Sequence, residues 1–235
     1  MLPRYLLLCC SLSLILLNQV QAESGNLAIG AKAGTLGGGA EVDLGLTDSI
    51  HLRGGANYLK FSFDSTISNI DYEMEPEFKN GSILLDWYPF SAGFRLTGGL
   101  FINDNTISLT GSPRRDTLLQ DYAIPPEYAF AAPLADSVKV HGSVEFNTLA
   151  PYLGIGWNSN QERSQGWGVS LELGVLFQGS PQVSVLTASA DAPLDSYTND
   201  PVVVQALESE RRAIEEDLEN FQYYPVGSIM LHYTF

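Results

Sequence analysis

The chain has 235 residues, and its 27 acidic residues against 12 basic ones give a formal net charge of −15. This polyanion lacks the clustered lysines and arginines that nucleic-acid binding requires. Hydrophobic residues make up 45% of the chain, aromatic residues 11%, and there are 22 glycines, a composition typical of proteins built from many strands.

A secretory signal peptide is predicted at residues 1–22. Arg4 supplies the positive charge, residues 6–17 form a short apolar run, and Val-Gln-Ala at 20–22 offers small residues at a cleavage site. An uncleaved membrane anchor is the alternative, but the run is short for a spanning helix. Both cysteines lie inside this run, so the mature domain, predicted at 23–235, is expected to have no disulfide.

Eight segments of the mature chain alternate apolar and polar residues with the two-residue period of a β-strand. In the first segment, Ile29 and Ala31 alternate with Gly30 and Lys32. The same period recurs at 40–46, 50–58, 82–87, 94–103, 152–157, 167–178 and 229–235. The stretches 136–158 and 166–188 are predicted as single long strands that project beyond a membrane. Dividing each of them into two would instead give ten strands.

Three features favour a membrane barrel over a soluble sandwich with the same alternation. The polar faces are rich in glycine and small residues, as a narrow, filled lumen requires. Short turns alternate with long loops, as in outer-membrane barrels. Aromatic residues collect on the apolar faces at the short-turn ends, which predicts a girdle at one membrane interface. The predicted girdle consists of Trp87, Phe94, Trp157, Trp167, Tyr233 and Phe235.

The predicted fold class is therefore all-β: an eight-stranded antiparallel transmembrane β-barrel of the Gram-negative outer membrane, with long extracellular loops. Eight crossings return the chain to the periplasmic side, where the terminal Phe235 is expected to serve as a signal to the barrel-assembly machinery. Outer-membrane lipids and lipopolysaccharide are the expected surroundings. The barrel is expected to be a monomer.

The external segments are predicted at 64–77, 111–136 and 190–221, and they are acidic or rich in proline. The last contains a helix signal at 201–219, because Asp200 suits the N-cap and Pro201 the first helical position. An apolar stripe follows, made of Val203, Leu207, Ile214, Leu218 and Phe221. This stripe predicts either a helix across the barrel mouth or a solvated loop helix without a gating role. The acidic residues either concentrate cations or keep the loops soluble and bridge to lipopolysaccharide through divalent cations.

Charged residues of both signs are predicted to face the barrel interior. The cations are Lys32, Arg53 and Arg95, and the anions are Glu41, Asp43, Asp86 and Glu172. Isolated buried charges are costly, so these residues should pair in a narrow lumen. The pairs predict either a salt-bridged plug that holds the barrel closed or a polar relay that opens for a small zwitterion.

Three histidines, His51, His141 and His232, are the candidates for catalysis. His141 precedes Ser143 and Glu145, but this spacing spreads the three side chains over roughly 13 Å of strand, too far apart for a catalytic triad. No cluster of histidines or cysteines suggests a metal site. The sequence therefore predicts no enzyme, no metal and no cofactor.

Four segments carry a family resemblance. They are AIGAKAGTLGGGA at 28–40, APYLGIGW at 150–157, GWGVSLELGVLFQGSPQV at 166–183 and YPVGSIMLHYTF at 224–235. Together they resemble the carbapenem-associated outer-membrane protein (CarO-like) family. The resemblance implies an eight-stranded monomeric barrel with loops folded over its outer end, and a role in the uptake of small solutes such as amino acids. It assigns no functional residue.

The predicted function is that of a porin-like barrel, narrow or mostly closed, for restricted permeation or binding of small polar solutes such as amino acids. The alternative is a structural or surface-interaction outer-membrane protein whose lumen is closed by salt bridges.

Overall fold

A computed structural model describes residues 27–67, 70–90, 93–113, 137–160, 165–192 and 194–235. The predicted signal peptide at 1–22 lies outside the described residues, as does most of the predicted external segment 111–136. In the described part of the chain, each helix is too short or too polar to cross a membrane.

The described residues form thirteen strands and one α-helix. The strands are β1 Leu27–Gly34, β2 Gly37–Gly45, β3 Ile50–Lys60, β4 Phe63–Ile67, β5 Ile70–Trp87, β6 Phe94–Asn103, β7 Thr106–Pro113, β8 Lys139–Glu145, β9 Leu149–Asn158, β10 Gly166–Phe177, β11 Gln182–Val183, β12 Thr187–Ser189 and β13 Tyr223–Thr234. The helix α1 spans Pro201–Asp217, between short 3-10 turns at Leu194–Tyr197 and Glu219–Gln222.

Eight of these strands close into an antiparallel ring, in the order β1, β2, β3, β5, β6, β9, β10 and β13. The ring closes where β13 pairs with β1, with Thr234 opposite Ala28 and Ser228 opposite Gly34. Closure leaves no unpaired edge in the ring. The predicted eight-stranded antiparallel barrel is confirmed.

The remaining strands continue the barrel on one side as an external wall. β5 is 18 residues long: residues 80–87 pair with β6 inside the ring, whereas residues 70–77 pair with β7 beyond it. β4 pairs with the outer half of β5, β8 pairs with β7, and β11 and β12 pair with β8. We call these strands, with the outer half of β5, the external wall.

The prediction of continuous strands at 136–158 and 166–188 is wrong, because both segments are interrupted at the rim of the barrel. The first breaks at 146–148, where the amide of Asn103 donates to the carbonyl of Thr148 at 2.6 Å. The second breaks at 178–181, where Gly179 has a φ of +74°, a conformation that favours glycine. The outer pieces join the external wall and not the ring, so the breaks do not produce a ten-stranded barrel.

The prediction of 64–77 as an external loop is also wrong for the described residues, because 64–67 lie in β4 and 70–77 lie in β5. Carboxylates at every second position, such as Asp71 and Glu73, face outward, while Ile70 and Tyr72, which alternate with them, are buried. The segment therefore alternates with the two-residue period of a strand, and its exposed face is acidic.

The buried face of the external wall is continuous with the lumen wall. Along β5 the same alternate positions are buried from Asp86 and Leu84 in the ring to Tyr72 and Ile70 in the wall. Helix α1 packs on this face, in a hydrophobic core with strand residues. The buried members are Ile70, Tyr72, Leu109, Val140, Val144, Val183, Leu186 and Ile214, with Leu207 and Leu218 packed against them. We call the external wall together with α1 the external lobe.

The helix begins as predicted, since the Asp200 carboxylate caps it by accepting from the amide of Val202 at 2.9 Å. The predicted stripe is confirmed at Leu207, Ile214 and Leu218, and Ile214 is fully buried. Phe221 departs from the stripe, because its side chain is 55% exposed. The helix is not a solvated loop helix, because α1 is docked on the buried face of the wall; the absence of a gating role stays a prediction.

Candidate functional site

The strongest candidate for a functional site is the interior of the ring, where the structure buries charge. Each of the seven residues predicted to carry lumen charges is at most 9% exposed. They are Lys32 on β1, Glu41 and Asp43 on β2, Arg53 on β3, Asp86 on β5, Arg95 on β6 and Glu172 on β10. Because side chains alternate between the two faces of a strand, these residues point inward from six different strands.

Arg53 lies at the centre of these charges. Its Nη1 is 2.9 Å from Glu41 Oε2, and its Nε is 2.6 Å from Asp86 Oδ2. Its Nη2 is 2.5 Å from Glu172 Oε2. One guanidinium therefore joins carboxylates from three strands, using the planar fork of donors that suits arginine to this task.

Further contacts extend the network from Arg53. Arg95 Nη2 lies 2.6 Å from Glu172 Oε2, and Lys32 Nζ contacts Glu41 Oε1. Two hydroxyls donate to the carboxylates: Thr97 to Asp86 at 2.6 Å, and Tyr152 to Glu172 at 2.8 Å. Six of the seven predicted residues thus form one connected network, which we call the ionic layer.

Asp43 is the seventh predicted residue, and it lies beside a histidine. Its Oδ1 lies 3.3 Å from Nδ1 of His51, which is 2% exposed. His232 is also 2% exposed, with Nδ1 3.5 Å from the Ser170 hydroxyl. The third histidine, His141, lies on the external wall with Nε2 3.1 Å from Ser189 Oγ. Within the described ranges, no group of three His, Cys, Asp or Glu side chains could hold a metal ion.

Inward-facing glycines make room for the large side chains of the lumen. The hydroxyl end of Tyr152 lies close to Gly154 and Gly174, so a Cβ at either glycine would overlap it. A Cβ at Gly156 would lie 2.8 Å from Arg95 Nε. The glycine-rich polar faces seen in the sequence therefore hold side chains that cross the interior of the ring.

An apolar layer lies beside the ionic layer, toward the external end of the lumen. Its buried members are Leu36, Leu84, Phe101, Ala150, Tyr152, Leu176 and Val226. The rings of Phe101 and Tyr152 are 5.3 Å apart. Sequence reasoning missed this layer, although Leu84 alternates in step with Ser82 and Asp86 on the polar face of its strand. The sequence signal that could have predicted the apolar layer is an apolar residue at a lumen-facing position.

Leu36 enters the apolar layer from the tip of the β1–β2 hairpin. Thr35 beside it is fixed to β13: its hydroxyl donates to the carbonyl of Pro225 at 3.1 Å, and the Tyr224 hydroxyl donates to the Thr35 carbonyl at 2.8 Å. These bonds hold the hairpin tip so that Leu36 points into the lumen, where it is 4% exposed.

The six residues of the predicted girdle lie together at one end of the ring. Trp167 and Tyr233 are neighbours with ring centres 5.4 Å apart, and Tyr233 lies 5.2 Å from Phe235. Phe94 is directly opposite Trp157, and Trp87 is opposite Ile50. Trp167 is 71% exposed and Trp87 52%, so these rings face away from the lumen.

A second aromatic group, which sequence reasoning did not predict, lies at the other end of the ring. Phe177 and Tyr223 meet edge-on with ring centres 5.6 Å apart, and Tyr58 is 52% exposed. The ten residue steps from Trp167 to Phe177 measure about 33 Å along β10. At the strand tilt usual in barrels, the two aromatic groups stand about 25 Å apart along the barrel axis.

The charged face of α1 allows a test of pH dependence outside the barrel. Arg211 donates to both Glu208 oxygens at 2.8 and 2.9 Å, and this hydrogen bonding lowers the pKa of Glu208 to about 2. Since the folded pKa lies below the unfolded value of about 4.3, the pair stabilises the helix above that value. Its contribution is lost as the pH falls from about 4.3 towards 2.

We expect carboxyl NMR to show Glu208 titrating near pH 2, and Arg211→Gln to raise the midpoint towards about 4.3. Arg212→Gln is the matched control, because Arg212 makes one contact with Glu208 at 3.3 Å and its side chain is 73% exposed. An equal shift in both variants would contradict the assignment to Arg211.

Comparison with known proteins gives a likeness of fold. No protein-family model and no curated protein matches the chain. The crystal structure of CarO2 from Acinetobacter baumannii is 20% identical, with 91% of this chain and 100% of that chain covered and a TM-score of 0.56. The crystal structure of CarO from the same organism is 22% identical, with 92% and 100% covered and a TM-score of 0.54. The predicted resemblance is confirmed at the level of the fold.

Proposed function

We propose that this chain, which shares its fold with the CarO structures, is a CarO-like outer-membrane β-barrel protein with a closed lumen. In this proposal the barrel anchors the external lobe at the cell surface, where the lobe interacts with other molecules. The observation that carries the proposal is the filling of the lumen by two successive layers, one ionic and one apolar.

Membrane insertion is supported by the outer surface of the ring. Large apolar side chains are exposed between the two aromatic groups, among them Ile83 at 62%, Leu153 at 61% and Leu173 at 66%. A band of this kind, about 25 Å tall and bounded by aromatic residues, is the lipid-facing surface of outer-membrane barrels. We propose in addition that the protein is exported and is assembled into the membrane through its C-terminal strand. In the membrane it is a monomer in contact with lipopolysaccharide.

Closure is supported by the size of the ring and by what fills it. Eight strands enclose an interior that side chains can fill. Here Arg53, Arg95 and Tyr152 are each at most 2% exposed. The lobe adds its own hydrophobic core, which makes it a folded surface and not a set of solvated loops.

Restricted permeation or binding of small polar solutes, such as amino acids, is the second candidate function. The observation that favours it is the arrangement of both signs of charge within the ionic layer. Arg95 Nη1 makes no hydrogen bond to the described residues. A zwitterion would offer a carboxylate to such a guanidinium and an ammonium to the neighbouring Glu172 or Asp86.

We expect the refolded mature protein to insert into lipid vesicles and to show no large steady conductance in a planar bilayer. Leu153→Arg should weaken insertion by about 2–4 kcal/mol, because it places a charge near the middle of the apolar band. Thr187→Arg is the control, since it puts the same side chain on an exposed strand position of the external wall.

Two outcomes would contradict the proposal in different ways. Equal insertion by both variants would argue against the lipid-facing band. A large steady conductance would argue against closure and in favour of permeation, and vesicle swelling with glycine, ornithine and sugars would then identify the solute class.

A further inference from the structure

The external wall has an open edge at β4. Among the described residues β4 pairs with β5 alone, with Phe63 opposite Met74. In the ring, β2 flanks the other side of β3 only up to Tyr58, which is opposite Gly38, so β2 does not reach β4. An uncovered strand edge is a ready template for pairing with another extended segment.

The direction of the backbone groups on β4 follows from one hydrogen bond at its base. The amide of Phe61 donates to the carbonyl of Pro76 at 3.3 Å, and the pairing continues into β4 without an inserted residue. Because the direction of hydrogen bonding alternates along an antiparallel strand, the amides and carbonyls of Asp64 and Thr66 point away from β5. Neither residue makes a backbone hydrogen bond on that side within the described part of the chain.

The two faces of β4 differ in their chemistry. Phe61 and Phe63 share the face of the buried Tyr72, yet they are 44% and 43% exposed, with ring centres 5.9 Å apart. On the other face, Asp64 lies directly opposite Glu73, and like charges in this position are unfavourable. The edge therefore offers apolar contacts on one face and negative charge on the other.

The acidic face also has room for a basic side chain from a neighbouring strand. A cavity of about 460 Å³ opens there, and Asp64, Asp71, Glu73 and Lys139 are among the residues that line it. Lys139 donates to the Ser112 hydroxyl at 2.8 Å. Three carboxylates against one amine leave the lining with a surplus of negative charge, which a lysine or arginine would offset.

We propose that the edge of β4 binds an extended segment of a partner protein in which basic and apolar residues alternate. The segment adds a strand to the external wall and exchanges backbone hydrogen bonds with Asp64 and Thr66. Its basic side chains lie on the acidic face, and its apolar side chains cover Phe61 and Phe63. The inference rests on the proposed function, in which the lobe interacts with other molecules, and it names the site and the chemistry of the partner.

A second copy of this chain suits the edge less well than a basic segment does. Pairing β4 with β4 would bring Asp64 and Glu73 of both copies onto one face, and like charges on neighbouring strands are destabilising. The formal net charge of −15 on each copy adds to the repulsion. Charge therefore favours a basic partner over self-association.

The test uses the refolded mature protein in nonionic detergent micelles and a short synthetic peptide in which valine and lysine alternate. Amide hydrogen exchange, followed by NMR, should slow at Asp64 and Thr66 when the peptide is added. The amides of Phe63 and Ser65 point towards β5 and should change little. A peptide in which valine and glutamate alternate is the matched control and should leave all four amides unchanged.

Thr66→Pro should weaken binding of the lysine peptide about tenfold, because it removes a free amide donor at the edge. Proline is tolerated on edge strands where the amide faces solvent. Thr66→Ala is the matched control and should leave binding unchanged, since it also loses the hydroxyl bond to Asp71 at 2.7 Å but keeps the amide. Asp64→Asn, which leaves the backbone intact, should weaken binding up to about fivefold, so the test does not depend on the folding of the proline variant.

Several results would overturn the inference. Exchange that does not slow, or that slows equally at all four amides, would contradict strand addition, as would equal binding by Thr66→Pro and Thr66→Ala. Equal effects of the two peptides would contradict recognition by charge. Protection of Asp64 and Thr66 that rises with protein concentration in the absence of peptide would indicate a second copy at the edge. Each result can occur in a barrel that inserts into lipid and stays closed, so failure here is distinguishable from failure of the proposed function.

Discussion

Replacing Arg53 with methionine is expected to destabilise the barrel by about 3–5 kcal/mol, because it leaves carboxylates buried without their partner. Arg53 is 2% exposed and contacts Glu41, Asp86 and Glu172. Methionine keeps much of the side-chain length, so the loss is mainly one of charge. The midpoint of urea unfolding, followed by the gel mobility of the folded barrel, measures the effect.

Two control variants separate the effect of charge from that of packing. Lys79→Met removes a cation whose side chain is 50% exposed and 3.1 Å from Glu77, and such surface pairs contribute at most about 1 kcal/mol. Adding Glu41→Gln and Glu172→Gln to Arg53→Met neutralises two of the orphaned carboxylates and should restore part of the stability. No difference between Arg53→Met and Lys79→Met would contradict the buried network.

The inward and outward positions of the ring could be predicted because a strand has only two faces. Once Lys32, Arg53 and Glu172 are assigned to the face opposite the large apolar residues, their burial follows from closure of the ring. What the period cannot supply is the partner of each charge. The link between Arg53 and Glu172 depends on the diameter and stagger of the barrel, since the two residues lie on β3 and β10, which are not neighbours in the ring.

The apolar layer escaped prediction for a related reason. Leu36 follows a threonine in a two-residue turn, and its burial depends on the long-range bonds between Thr35 and β13. Phe101 and Tyr152 meet across the strand pair β6 and β9. Neither contact leaves a local pattern, because each is set by residues far away in the chain.

The external lobe was missed because its strands do not resemble those of the ring. Asp71 and Glu73 give the outer half of β5 an acidic face, which in the sequence resembles a soluble loop. The breaks at 146–148 and 178–181 redirect the chain from the ring to the wall over a few residues, so alternation alone could not separate ring strands from wall strands. The helix was predictable, since Asp200, Pro201 and the apolar stripe are local signals.

The lobe and the lumen are two parts of one continuous inner face. The wall extends that face beyond the ring, and α1 covers it there with Leu207, Ile214 and Leu218. The Tyr72 hydroxyl donates to the buried Glu210 of the helix at 3.1 Å. Docking of α1 is therefore what gives the lobe a defined outer shape, on which the proposed surface interaction depends.

Ile214→Asp is expected to release α1 from the external wall while the ring stays intact. Ile214 is fully buried in the core of the lobe, and a carboxylate there should cost about 4 kcal/mol or more, because it has no partner in an apolar environment. Limited proteolysis should then cut the chain within 190–221, and the folded barrel should keep its gel mobility.

Val204→Asp is the matched control, with the same new side chain on the same helix at a position that is 52% exposed. It should leave the protease pattern unchanged. If both variants were cut equally, the helix would be held by its chain connections and not by the hydrophobic core. If neither were cut, Ile214 would contribute less than its burial implies, and the lobe could not owe its shape to the packing of α1.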